Sequence, residues 1–189
     1  VSPLRMSGVR PRWAPALPGL SAFPELNVRT YVCFEGKPGV FFFSLDAGNR
    51  LAVEVARRWY WLPYFHARMR IEKRGQWFEY ESRRVGSEAE FVGRYRPTNG
   101  RGAGKAQKGP APGTLVQWLV ERYCLYTVDA RGRVGRGEIH HRPWSLQPAQ
   151  AEIDRNTLTA PLGLELRGAP LLHYAEELEV VVWPLRRVA

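Results

Sequence analysis

The sequence predicts an α+β domain built on a curved antiparallel β-sheet or β-barrel-like core with short covering helices. Three observations lead there. Runs of aromatic and β-branched residues alternate with Gly and Pro turn signals, only two segments carry helical spacing, and no glycine-rich turn of a doubly wound nucleotide fold is present. With 189 residues, 44% of them hydrophobic, and seven Trp, eight Tyr and eight Phe, the chain can fill a substantial core. A single domain over residues 1–189 is the simplest organisation.

The opening SPLRMSGVRPRWAPALPGL mixes Arg with repeated Pro and Gly and reads as an extended or looped approach to the domain. Strand-forming residues then run from Ala22 to Val32 and from Gly39 to Ser44, joined by the turn signal Glu35-Gly36-Lys37-Pro38. Asp46 is a candidate cap for a helix through Leu51, Val53, Val55 and Trp59, which Pro63 would stop. HARMRIEKRGQWFEYESRRV predicts two strands around Arg74-Gly75, and EAEFVGRYRP a further strand.

Residues 97–113, PTNGRGAGKAQKGPAPG, replace apolar patterning with Gly, Pro and basic residues and read as a flexible loop within the domain. TLVQWLVERY has helix-compatible spacings at Leu115, Trp118, Leu119 and Arg122, with Thr114 as a plausible cap. CLYTVDARGRVGRGEIHH returns to strands around a turn at Asp129 to Gly132, and LHYAEELEVVVWP predicts at least one terminal strand.

The formal charge of +10 could steer an anionic ligand, but its Arg residues are spread along the chain and no complete nucleic-acid module accompanies them. Specific nucleic-acid binding is therefore not expected. No apolar run is long enough for a membrane helix and no secretory leader pattern begins the chain, so no membrane association and a cytoplasmic setting are the expectation. Cys33 and Cys124 are too few for a cysteine-rich metal module and are expected to be buried free thiols. His66, His140, His141 and His173 are scattered without a ligand motif, so neither a metal nor another cofactor is expected. No GxSxG elbow points to serine hydrolysis.

Two stretches carry candidate chemistry. In FPELNVRTYV, strand alternation sets Glu25, Asn27, Arg29 and Tyr31 on one side and Leu26, Val28, Thr30 and Val32 on the other. Periodicity alone favours a hydrated polar face. The same residues could instead line a cavity, with Glu25 moving a proton, Asn27 positioning a polar group and Arg29 neutralising an anion. In GEIHHRPW, alternation sends Glu138 and His140 one way and His141 the other, making His140 a candidate base, with Arg142 and Trp144 as a cationic edge and an apolar wall.

FPELNVRTYV, GKPGVFFFSLDA, LPYFHARM, GTLVQWLVERYCLYT, GEIHHRPWSLQPA and GLELRGAPLLHYAEELEVVVW occur in an order that strongly resembles the DUF2071, or YqjF-like, family, related in fold to acetoacetate decarboxylase-like proteins. The resemblance covers nearly the whole chain. It implies a barrel-like α+β fold with a cavity for a small organic ligand, compatibility with a homo-oligomer, and a family segment preceding SPLRM that this chain lacks. It matches Glu25 to an acidic active-site position of the decarboxylases. Tyr64, in LPYFHARM, stands where those enzymes carry the Schiff-base lysine. The resemblance and the residue patterns together predict a small-molecule-binding protein that recognises a polar or anionic organic ligand, with Glu25 and His140 as the proton-transfer candidates and Asn27, Arg29, Tyr64, Arg142 and Trp144 as the ligand-binding candidates. The alternative is a decarboxylase, lyase or hydrolase that uses Glu25 or His140 without that lysine.

Overall fold

The computed structural model describes residues 1–8, 22–98 and 109–189, so most of the Gly- and Pro-rich loop predicted at 97–113 and much of the basic opening segment lie outside the described residues. The fold is α+β with mostly antiparallel pairing, as the sequence predicts. The chain divides into two compact units: Val1–Arg29, Phe42–Arg94 and Ile153–Leu166 form the first, and Thr30–Phe41, Tyr95–Glu152 and Arg167–Ala189 the second.

In the first unit, β1 (Ser2–Met6) pairs antiparallel with β2 (Phe23–Phe34), setting Leu4 opposite Glu25 and Ser2 opposite Asn27. The end of β3 (Lys37–Ala47) runs parallel to the start of β4 (Tyr64–Arg74), with Leu45 opposite Tyr64 and Ala47 opposite His66. A parallel pair needs a crossover, and α1 (Arg50–Tyr60) supplies it. β4 turns back into β5 (Trp77–Arg84) through Gly75, whose φ of 59° suits glycine, and β5 is followed in the sheet by β6 (Glu90–Pro97) and β9 (Gln147–Asn156).

The cap of α1 differs from the expectation. β3 continues through Ala47, Asp46 is buried within it, and the Asn49 side chain caps the helix by accepting from the Ala52 N–H at 3.1 Å. The helix stops at Tyr60, with Trp61 left-handed at its end, before Pro63 is reached. Its packing face is also narrower than its apolar residues suggest. Val53 is buried and joins Phe23 and Ala47 in a cluster flanked by Met6, Ala52 and Tyr64, whereas Leu51, Val55 and Trp59 are exposed.

In the second unit, Val40 and Phe41 of β3 lie parallel to Leu125 and Tyr126 of β7 (Cys124–Val128). β7 pairs antiparallel with β8 (Val134–His141), and β8 also receives β11 (Val180–Val182) and β12 (Arg186–Arg187). β10 (His173–Tyr174) pairs with the start of β9. Asp129 closes the predicted β7–β8 turn, its Oδ1 accepting from the backbone N–H groups of Arg131 and Arg133, both at 2.9 Å. The predicted cap on α2 (Leu115–Val120) forms, Thr114 Oγ1 accepting from Gln117 N–H at 3.2 Å. Cys124 is buried, but Cys33 is exposed, because it lies near the turn end of β2 where burial falls away.

Candidate functional site

The polar residues of FPELNVR do not face solvent. Glu25 is only 4% exposed and Asn27 2%, although Leu26 and Val28, on the opposite face of β2, are buried as well. This part of the strand is covered on both sides, so its alternation records two buried surfaces rather than a core side and a wet side. Burying a carboxyl demands hydrogen-bond partners. The Tyr64 hydroxyl donates to Glu25 Oε2 at 2.6 Å, and the Asn27 side chain also hydrogen-bonds the carboxyl. Tyr80 reaches the backbone at the same place, its hydroxyl donating to the Glu25 carbonyl at 2.7 Å.

Burial drives the Glu25 pKa above the ordinary glutamate range, against the opposing influence of the hydrogen bonds from Tyr64 and Asn27. Tyr64 moves in the same direction: burial, then the neighbouring Glu25 charge and the hydrogen bond to it, hold the phenol well above its usual pKa. The pair therefore offers a carboxyl able to gain or lose a proton beside a phenol that remains a donor. Asn27 Oδ1 is buried without a hydrogen-bond partner, leaving an acceptor held beside the pair.

A second polar group lies on β3 and β5, where alternation gives Ser44 and Asp46 one face of β3 and Ser82 and Arg84 one face of β5; all four are buried. Arg84 Nε donates to Asp46 Oδ1 at 2.8 Å. Arg84 Nη2 stands 2.8 Å from that same oxygen, without hydrogen-bond geometry, and Asp46 Oδ2 has no hydrogen-bond partner. The contact is thus single-pointed rather than the two-pronged fork a guanidinium can form. The guanidinium also lies over the Phe65 ring at 4.1 Å. Burial raises the Asp46 pKa, and Arg84 opposes that rise by charge and hydrogen bond.

An open cleft of about 570 Å³ lies in the first unit, lined among others by Phe23, Asn49, Arg50, His66, Arg68 and Met69. Phe23 and His66 are each two positions along their strands from Glu25 and Tyr64. Arg50 and Arg68 are not among the sequence-derived candidates, which treat arginine only as charge spread along the chain. The usable signal was Arg50 at the first position of a helix with no acidic residue in its first turn, opposite to the usual charge preference there.

The structure brings Glu25, Asn27 and Tyr64 together, with Arg29 half-buried further along β2. His140, Arg142 and Trp144 belong to the second unit. There, His140 and Arg142 are exposed. Glu138, the suggested orienter of His140, is engaged by Lys37 Nζ at 2.7 Å and Arg136 Nε at 3.0 Å. The buried histidine is His141. Its Nδ1 lies 2.8 Å from the Arg142 carbonyl and its Nε2 3.2 Å from that of Arg122, while its ring stacks on Tyr123 and meets Trp144 edge-on. Both nitrogens face backbone carbonyls, which fits a structural strut.

Among the described residues no group of three or more His, Cys, Asp or Glu is placed to hold a metal ion, and no helix is long and apolar enough to cross a membrane.

Residues 1–179 match DUF2071, described as an uncharacterized conserved protein. The chain belongs to the DUF2071 family. It is 47% identical over 187 residues to the uncharacterized protein YqjF of Bacillus subtilis strain 168, covering 98% of this chain and 74% of that protein. Solved structures share the fold at low identity. Acetoacetate decarboxylase from Legionella pneumophila gives a TM-score of 0.53 at 11% identity, covering 91% of this chain and 69% of that one. The enduracididine biosynthesis enzyme MppR, complexed with pyruvate, gives 0.57 at 10% identity, covering 91% and 68%. These likenesses establish the acetoacetate decarboxylase-like fold of this DUF2071 chain.

Proposed function

We propose that this DUF2071 protein is an enzyme acting on a small keto acid, with Glu25 as the proton-transfer group and Tyr64 as a hydrogen-bond donor, and without a Schiff-base lysine. The observation that carries the reading is the buried carboxyl of Glu25 held 2.6 Å from the hydroxyl of half-buried Tyr64. A carboxyl whose pKa burial raises above the ordinary glutamate range is suited to general acid–base work, and sites of this kind concentrate perturbed pKa values. The names of two fold relatives support the substrate class, since acetoacetate and pyruvate are both small keto acids.

Ionised Glu25 would take a proton from the carbon next to the substrate carbonyl. The C–H electron pair would move into an enolate, whose oxygen would accept a hydrogen bond from Tyr64, and return of the proton would complete the cycle. Lysine chemistry is poorly supplied. Lys73 lies nine positions along β4 from Tyr64, about 30 Å on an extended strand, with its ammonium 5.8 Å from the centre of the Phe78 ring. Glu25 is preferred to His140 because His140 is exposed and its neighbour Glu138 pairs with Lys37 and Arg136.

Exchange of the methyl protons of pyruvate and of the C2 protons of acetoacetate for deuterium in heavy water, followed by proton NMR, tests this reading. Exchange above the protein-free rate is expected, with Glu25→Gln slowing it by about 100-fold or more. Exchange at the protein-free rate for both compounds, or an unaltered rate in Glu25→Gln, would overturn it. Saturable binding of a keto acid without exchange would instead favour recognition without turnover.

A further inference from the structure

The cleft beside α1 gathers positive charge in places that local electrostatics oppose. Arg50 is the first residue of α1, where the aligned peptide dipoles already present their positive end, and no acidic residue occupies the first turn. Arg68 faces Arg83 directly across the β4–β5 pair, and like charges in that relationship repel. Arg83 Nε has Glu90 at 3.6 Å, whereas no carboxylate pairs with Arg50 or Arg68 among the described residues. His66 lines the same space, and among the described residues no aspartate or glutamate does.

The neighbouring groups hold the cleft in shape. Asn49 spends its side-chain oxygen on the Ala52 N–H, fixing the first turn of α1. Gly48 N–H donates to the Pro24 carbonyl at 3.2 Å, fastening the entry to the helix against β2. Phe23 forms one wall while packed with Ala47 and Val53. The walls are therefore pinned, and Arg50 and Arg68 are long side chains with an exposed reach into open space.

We propose that this cleft is a binding site for a small oxyanion, a carboxylate or a phosphate group, held chiefly by Arg50 and Arg68 with His66 at its side. An oxyanion supplies the negative charge that the first turn of α1 lacks and that Arg68, unlike Arg83, does not find in a carboxylate among the described residues. A guanidinium fork matches the two oxygens of a carboxylate or phosphate. The site does not depend on turnover at Glu25.

The test uses the full chain labelled with nitrogen-15 and titrated separately with sodium acetate and inorganic phosphate at constant ionic strength. Amide signals of Arg50 and Leu51 and the Nε–H signals of Arg50 and Arg68 should shift saturably with at least one anion. The arm that binds more tightly distinguishes a carboxylate site from a phosphate site. Arg50→Gln/Arg68→Gln should weaken binding tenfold or more, whereas Arg57→Gln/Arg58→Gln, which removes the same charge from the other end of α1, should alter it less than twofold. Should the first double variant lose its dispersed spectrum, Arg68→Gln alone takes its place, with at least a threefold loss expected. No saturable shift with either anion, unchanged affinity in the cleft variant, or equal weakening in both double variants would overturn the site. The same titration on Glu25→Gln should give unchanged affinity, which separates this outcome from the fate of the proton-transfer reading.

Discussion

Tyr64 donates to Glu25 across 39 positions of sequence, joining the start of β4 to β2 where Glu25 is buried and Tyr64 half-buried. Desolvation wins over the hydrogen bonds and raises the Glu25 pKa above its ordinary value of 4.5. The folded chain therefore binds this proton more tightly than the unfolded chain. Its contribution to stability is greatest below the unfolded-state pKa and falls as pH rises through the folded-state pKa. Urea unfolding across this range should show wild-type stability declining with pH more steeply than that of Glu25→Gln. Asp46, whose pKa is also raised, keeps part of the slope in the variant. A wild-type slope equal to that of Glu25→Gln would mean that Glu25 titrates normally in the fold.

Tyr64→Phe removes the donor but keeps the ring. The variant should lose about 1–3 kcal/mol in urea denaturation, the usual consequence of leaving a buried polar group without its partner. Because the Tyr64 hydrogen bond lowers the Glu25 pKa, its loss should also move the pH-dependent decline in stability to higher pH. Unchanged stability together with an unmoved pH profile would show that the hydroxyl contributes little to the state of Glu25.

Much of the fold was legible because its signals are local. Gly75 and the Asp129 turn announced their hairpins, and Thr114 its helix, since turns and caps are set by a few adjacent residues. The α1 cap was misread because Asp46 and Asn49 are both competent capping types. Distant partners, the pairing with β4 and the contact with Arg84, keep Asp46 in the strand interior. The burial of Glu25 was also hidden, since a period of two describes which residues share a face but not whether that face is covered. Family resemblance brought Glu25 and Tyr64 into one candidate site, and the fold adds their contact. The cleft was missed because Arg50 and Arg68 belong to separate elements, and convergence of that kind leaves no spacing signal.

Asp46 and Arg84 should behave as a coupled pair. Their side chains are 1% and 7% exposed, so removing either one leaves a buried charge without its counterpart. Asp46→Leu and Arg84→Met should each cost about 3–5 kcal/mol, while the double variant should cost much less than the sum. A double-mutant cycle in urea measures this. Additive losses would indicate that each side chain acts through packing alone, including the contact of Arg84 with Phe65.

Gly39 should resist even alanine. A Cβ there would lie 2.7 Å from both Cys124 Sγ and Tyr126 Cε2 and 2.8 Å from the Cys124 carbonyl oxygen. The carbonyl belongs to β7, which pairs in parallel with β3 beside this point, so the clash cannot be relieved by a side-chain rotation alone. Gly39→Ala should destabilise the protein by about 1–3 kcal/mol, the range for overpacking a filled interior. Thermal unfolding compared with Gly36→Ala separates this cause from backbone strain. Gly36 has open space around its Cβ position but a φ of 76°, so its loss would come from conformation rather than contact.

The two thiols should differ in reactivity as they differ in position. Cys33 is exposed near the end of β2, whereas Cys124 is buried with its thiol donating to the Pro38 carbonyl at 3.4 Å. Burial also raises the Cys124 pKa and reduces its thiolate fraction, despite opposing effects that include the hydrogen bond with Tyr126 and the Lys37 charge. Under native conditions a disulfide reagent should therefore modify one thiol rapidly. Cys33→Ser should abolish that phase, and the second equivalent should appear only on unfolding in urea. Rapid modification of both thiols in the native protein would show that β7 opens readily, since Cys124 can otherwise reach the reagent only when the strand separates from its neighbours.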